Sequence, residues 1–300
     1  MSTGQPKENT DIDIYLGTAN FGQSYGKVQS SHGVDFKAIN EIFELIENHG
    51  SIHLDTAPGY GQAEKVIGEL GAGRNLLQRI TTKISPKDYG DPNEILQSVK
   101  KSLELLGTEQ FENILLHGLN ESLLCHKSAV AEGLNLLAEE NLTRNFGLSC
   151  YSEEEVLLAK HHFPMLNVFQ VPENVVDQRL YNSTKLLNLS QTGNKFIVRS
   201  IFLQGKLLEE NFAVGSRFDF LTPIIEDLEN NARLNGLSRY DYCVAYIKNI
   251  PWKTGVVIGV ESLEQMKSFL TSQNYEYPKI GFNNKLIDDL MVDPRNWPQG

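Results

Sequence analysis

The chain has 300 residues, 40% hydrophobic and 22% charged, enough for one large domain or two small ones with a sizeable core. Its formal charge of −11 and pI of about 5.2 exclude the basic footprint that nucleic acid or an anionic membrane surface requires. The three cysteines, Cys125, Cys150 and Cys243, show no CxxC or Cys/His ligand spacing, which argues against a disulfide framework and a zinc site.

Residues 1–11 are polar and read as a flexible tail, with 12–300 as a single unit. No apolar h-region marks residues 1–10 as a signal peptide, and no apolar run approaches the ~20 residues that span a bilayer. A cytoplasmic protein with no membrane partner and no bound metal is expected. The composition sets no oligomeric state.

In chain order, residues 14–19 form a first strand, followed by the glycine-bounded loop 22–26. Residues 36–48 carry apolar side chains at 36, 39, 42, 43, 45 and 46, a helical stripe. A strand over 51–54 stops at Asp55, and after a Pro58-Gly59 turn a helix covers 63–70, ended by Gly71 and Gly73. A strand over 79–82 runs into Lys83. Pro92 then opens a long helix that Gly107 closes. A strand over 112–116 runs into His117, with a helix over 128–140 behind it.

The second half keeps the rhythm. Strands at 145–150, 167–171, 195–201 and 255–259 alternate with helices at 153–162, 182–189, 223–249 and 262–270. Ser152 followed by Glu155 is a capping-box start, and Gly236-Leu237-Ser238 marks a possible break in the longest helix. Eight strand–helix alternations without a linker predict a closed (β/α)8 TIM barrel in one domain. An open doubly wound sheet would want G-x-G-x-x-G after the first strand, whereas the chain has Gly22-Gln23-Ser24-Tyr25-Gly26.

Three strands end in one ionisable residue each: Asp55, Lys83 and His117, roughly one βα unit apart. In a parallel barrel these tips share one rim, and Tyr60 in its rigid turn leans over them. A phenol beside an ammonium has its anion favoured, and a carboxylate keeps that ammonium charged. Tyr60 then suits general acid/base work on a carbonyl or alcohol, with His117 donating to the same oxygen. Such groups suit carbonyl–alcohol interconversion with a hydride supplied by a cofactor.

Asp55-Thr56-Ala57-x-x-Tyr60-Gly61, Lys83 after its strand and His117 after the next resemble the aldo-keto reductases, over residues 15–269. The resemblance implies a nicotinamide dinucleotide, NADPH or NADH, bound without a Rossmann domain, and a small carbonyl substrate. It assigns Tyr60 as acid/base, Asp55 and Lys83 as its tuners, and His117 as the substrate orienter. It also implies that Ser149 and Gln170 hold the nicotinamide amide. Cys150 stands where the family usually has Asn. Arg199 replaces the aromatic residue that often stacks on the nicotinamide, and Ser200 and Gly205 follow in the cofactor loop.

Gly259-Val260-Glu261-Ser262-Leu263-Glu264-Gln265 resembles the family's dinucleotide-phosphate loop, so Gly259, Glu261, Ser262 and Gln265 are assigned there. NADP-preferring members carry Lys or Arg where this chain has Glu261 and Gln265. A carboxylate repels a 2′-phosphate and accepts from a ribose diol, so NADH is expected to be tolerated or preferred. The helix opening at Ser262 would offer backbone N–H groups to an anion. Tyr25, Phe202 and Trp297 are candidate pocket aromatics. Two further functions remain open: a catalytically quiet nicotinamide-binding regulatory subunit, and an epimerase that retains its cofactor.

Overall fold

Short β-branched runs and longer amphipathic stretches alternate along the chain, and each run buries its apolar side chains in a different layer. In the computed structural model, residues 12–22, 34–47, 49–210, 212–277 and 293–297 are described. The expected tail 1–11, Tyr25 and most of the segment after 277 lie outside them.

The strands are β1 (Asp13–Gly17), β2 (Ile52–Asp55), β3 (Ile80–Ile84), β4 (Phe111–His117), β5 (Thr143–Ser149), β6 (Leu166–Pro172), β7 (Lys195–Arg199) and β8 (Gly255–Gly259). Each pairs in parallel with the next, and β8 pairs back onto β1, closing the barrel. The closure is that of the expected (β/α)8 fold.

The helices are α1 (Phe36–Ile46), α2 (Ala63–Gly71), α3 (Pro92–Leu106), α4 (Glu121–Cys125), α5 (Lys127–Glu139), α6 (Glu153–His162), α7 (Thr184–Gln191), α8 (Thr222–Leu234), α9 (Arg239–Lys248) and α10 (Leu263–Gln273). Local chemistry sets their ends. The Asp91 carboxylate caps α3 by accepting from the Asn93 N–H at 2.8 Å, and Gly107 ends it at φ +66°, a left-handed conformation that glycine adopts without strain. Serine hydroxyls at 152, 183, 238 and 262 cap α6, α7, α9 and α10.

Several boundaries differ from the sequence expectation. The long 223–249 helix is two, because Gly236 turns at φ +69° and Ser238 starts a new one. The strand expected over 195–201 ends at Arg199, since Ser200 turns left-handed at φ +61°. Residues 19–21 leave β1 as a 3₁₀ turn. The short helix α4, capped by the Asn120 side chain, was not anticipated.

Inside the barrel, Tyr15, Leu115, Val168 and Ile197 form an apolar plug, with Val257 packed against it. Tyr15 is paired in register with His53 and stacks on it at 4.7 Å. Strand side chains alternate between faces, so residues two places further along point into the same interior, one layer nearer the carboxyl rim. That layer comprises Gly17, Asp55, His117, Gln170, Arg199 and Gly259, joined by Lys83 and Ser149 from β3 and β5.

Candidate active site

The rim layer floors a cleft of about 1000 Å³. Asp55, Tyr60, Lys83 and His117 line one end of it, and Gly259, Glu261 and Gln265 line it from the β8–α10 edge. Ser149, Gln170, Arg199, Ser200 and Gly205 line it as well, so every proposed site residue except Ser262 meets this space. Ser262 instead spends its hydroxyl on the Gln265 N–H, as the cap of α10.

At the closed end, Lys83 Nζ donates to both Asp55 oxygens at 3.0 and 2.9 Å and to the Thr56 carbonyl at 3.0 Å. The two side chains are only 1% and 5% exposed. Burial works against the charge on Lys83, but the adjoining Asp55 carboxylate outweighs it and holds the ammonium pKa above its usual value. Lys83 Nζ also lies 5.0 Å from the centroid of the Tyr60 ring.

Backbone contacts place Asp55 and Tyr60. The Thr18 N–H and hydroxyl both donate to the Asp55 carbonyl at 3.0 Å. Tyr60 sits in a turn closed by its N–H to the Ala57 carbonyl, with the Ala63 N–H returning to the Tyr60 carbonyl. Gly22 packs directly beneath: a Cβ there would lie 2.3 Å from the Tyr60 carbonyl oxygen. Glu64, at the head of α2, accepts from Thr82 and Ser102 at 3.1 Å and ties this turn to β3 and α3.

His117 is held by its main chain. Its N–H donates to the buried Tyr89 hydroxyl at 2.8 Å, which leaves the imidazole to the cleft. Burial, then the Lys83 ammonium, then Arg199 push the imidazole pKa down to about 4, with Asp55 opposing them. The ring is therefore neutral at pH 7 and can donate one N–H or accept at one nitrogen.

Gln170 belongs to this network as well as to the cleft: its Nε2 donates to Asp55 Oδ1 at 2.8 Å. One amide N–H is thus used on Asp55, and the Oε1 acceptor remains for a ligand's donor. Cys150 is fully buried away from the cleft, and burial raises its thiol pKa, so it offers no side-chain donor there. Arg199 stacks on the Tyr151 ring, with its guanidinium carbon 4.3 Å from the centroid. Tyr151 and Asn20 are cleft residues that sequence reasoning passed over. Asn20 Nδ2 bridges to the Val260 carbonyl at 2.8 Å, while its buried Oδ1 has no partner. The only sequence signal for Tyr151 was its position just past the tip of β5.

At the far edge, the Gln265 side chain accepts from the Glu261 N–H at 2.7 Å and its own N–H donates to Ser262. This reciprocal cap occupies two of the backbone donors that the α10 opening was expected to offer to an anion. Burial raises the Glu261 carboxyl pKa. Of the other aromatic candidates, Phe202 lines the cleft and stacks on Tyr240 at 5.1 Å. Trp297 packs edge-on against Phe218 at 5.1 Å and is not among the residues that line the cleft.

A closed parallel barrel whose polar groups converge on its carboxyl rim defines the class: a (β/α)8 protein with its site where such barrels carry chemistry. The profile described as "Aldo/keto reductase family" matches residues 13–283, and the chain belongs to that family. The oxidoreductase sirO of Leptosphaeria maculans is 27% identical over 215 residues, 68% of this chain; the match covers 64% of that protein's length. The holo form of aldo-keto reductase AKR11C1 from Bacillus halodurans superposes with a TM-score of 0.68 at 18% identity, covering 89% of each chain. Glycerol dehydrogenase AKR11B4 from Gluconobacter oxydans gives 0.67 at 18% identity, covering 88% of this chain and 87% of its own. No helix among the described residues is long and apolar enough to cross a membrane.

Proposed function

We propose that the chain reduces a small aldehyde or ketone to an alcohol, with Tyr60 as the general acid. The observation that carries this reading is the buried Asp55–Lys83 pair beneath the Tyr60 ring, with the neutral His117 on the same cleft. A bound nicotinamide dinucleotide supplies the hydride. The cleft fits such a group: it extends from the tetrad to the β8–α10 edge, and Ser149 and Gln170 present polar groups along its floor. The unpartnered Asn20 Oδ1 marks one more polar position beside it.

In this mechanism the carbonyl oxygen lies between the Tyr60 hydroxyl and the His117 imidazole. As the carbonyl carbon gains hydride, Tyr60 gives its proton to the oxygen, and the Lys83 ammonium stabilises the phenolate left behind. His117 fixes which face of the carbonyl is presented. Asp55 holds Lys83 in place, and Gln170 holds Asp55. In the oxidative direction Tyr60 takes the proton back.

NADH is the favoured cofactor on this reading. Glu261 and Glu264 border the cleft where a 2′-phosphate would need cations. The test is NADH and NADPH oxidation with a panel of aldehydes. We expect kcat/KM to favour NADH, Glu261→Arg to shift the ratio at least tenfold toward NADPH, and Tyr60→Phe to cut kcat by about 10²- to 10⁴-fold. Dinucleotide binding without turnover of any carbonyl would overturn the reductase reading.

A further inference from the structure

We propose that the substrate carries an oxyanion, a carboxylate or phosphate a few bonds from the reacting carbonyl, and that Arg199 is the residue that selects for it. The inference rests on the reductase reading and names the substrate class of that same cleft.

It follows from how the charges of the cleft are compensated. At the closed end Lys83 is cancelled by Asp55. Among the cations around the cleft, Lys206 pairs with Glu209, and Arg295 pairs with Asp293 at 2.6 Å and Glu155 at 3.6 Å. No carboxylate of the described residues pairs with Arg199. Its guanidinium makes two long hydrogen bonds to neutral acceptors, Nη2 to the Cys150 carbonyl at 3.2 Å and Nη1 to the Ser200 hydroxyl at 3.4 Å. Its Nε is buried with no acceptor. A guanidinium has five N–H donors, so most of this one's capacity is unused.

The orientation of Arg199 points to a ligand at the catalytic end. The Tyr151 ring is clamped between two guanidinium groups, Arg199 at 4.3 Å and Arg295 at 3.7 Å from its centroid. The ring contact consumes none of the guanidinium's N–H donors, the groups that grip planar oxyanions. Although it stems from β7, Arg199 leans toward the β5 tip, away from β8 and Glu261. Cys150, whose carbonyl it contacts, directly follows Ser149, and Ser149 is the register partner of His117. Strand spacing then puts the guanidinium within roughly 10 Å of the imidazole. A carbonyl held at Tyr60 and His117 and an oxyanion three or four carbons away would span that gap. Glu261 and Glu264 line the cleft from the β8–α10 segment, whereas Glu209 is paired with Lys206, so the field draws a negative substrate group toward Arg199.

The test compares matched substrates on the full-length protein with NADH: 4-oxobutanoate against butanal, and glyceraldehyde 3-phosphate against glyceraldehyde. We expect kcat/KM to favour the charged member of at least one pair by tenfold or more, through KM. The favoured pair tells carboxylate from phosphate. Arg199→Gln should collapse that ratio at least tenfold, while Arg199→Lys keeps part of it. Using a ratio cancels any loss common to both substrates. Equal use of charged and neutral aldehydes by the wild type would overturn the proposal and leave the reductase reading standing. So would an Arg199→Gln variant that weakens NADH binding but keeps the ratio, since Arg199 would then serve the cofactor. Calorimetry with unreactive succinate and inorganic phosphate decides the matter even if no aldehyde is turned over. Saturable binding of either anion by the NADH-loaded protein, lost in Arg199→Gln, supports the site, and no binding of either refutes it.

Discussion

The ammonium of Lys83 is held by Asp55 and the Thr56 carbonyl beside Tyr60, and this confinement decides what single substitutions do at the rim. Removing one member of a buried ion pair leaves the other charged and unsatisfied, at a cost of about 3–5 kcal/mol. Asp55→Ala should therefore lose that much stability by urea denaturation as well as its activity. Lys83→Met strands the Asp55 carboxylate in the same way, with only the Gln170 amide still donating to it, and should lose stability as well as turnover. His117 adds a pH signature. Its folded pKa of about 4 lies below the ordinary 6.5, so it contributes stability in full above pH 6.5 and loses it as the pH falls toward 4. Denaturation midpoints across pH 4–7 should fall on acidification, and His117→Asn should flatten that slope by up to one proton's worth.

Among the elements, the turn carrying Tyr60 is braced from two sides, by Gly22 below and by Glu64 through Thr82 and Ser102. A methyl at 22 cannot be absorbed by a flexible side chain, because it meets the backbone of residues 60, 62 and 63. Gly22→Ala should displace the phenol and lower kcat at least tenfold while circular dichroism stays native. Gly147 is a harsher case: a Cβ there would lie 2.0 Å from the Val168 carbonyl and 2.5 Å from a Leu115 methyl, inside the barrel. Overpacking a core costs typically about 1–3 kcal/mol, and a backbone clash adds to that, so Gly147→Ala should melt earlier or fail to fold. Helix ends were legible at this scale because caps are local: Asp91, Pro92 and Gly107 announce their helix by themselves. The end of β7 was not, since the left-handed turn at Ser200 has no glycine to betray it.

Over the whole molecule, closure of β8 on β1 turns eight separate strand ends into one cleft, with the Arg199 guanidinium, unpaired among the described residues, on its floor and Glu261 and Glu264 at the β8–α10 edge. A dinucleotide lying along it binds only the folded chain, so it should stabilise by about 2.7 kcal/mol at a hundredfold excess over Kd. Thermal melts with NADH and NADPH at equal concentration should show the larger shift with NADH if Glu261 acts against the 2′-phosphate. Equal shifts would remove the charge argument.

What the sequence determined by itself was the rhythm of the barrel and the identity of the rim. Hydrophobic period, turn glycines and capping residues act within a few positions, and alternation along a strand puts the last ionisable residue on a knowable layer. The rim positions of Asp55, Lys83 and His117 were legible for that reason, and that of Tyr60 from the Pro58-Gly59 turn that follows the Asp55 strand. Only the tertiary structure decided which groups share partners. It joined Gln170 to Asp55, turned Gln265 back onto Glu261, withdrew Ser262 and Cys150 from the cleft, and swung Arg199 toward the tip of β5. Such pairings depend on distances between strands far apart in the chain, and the closure of the barrel sets those distances.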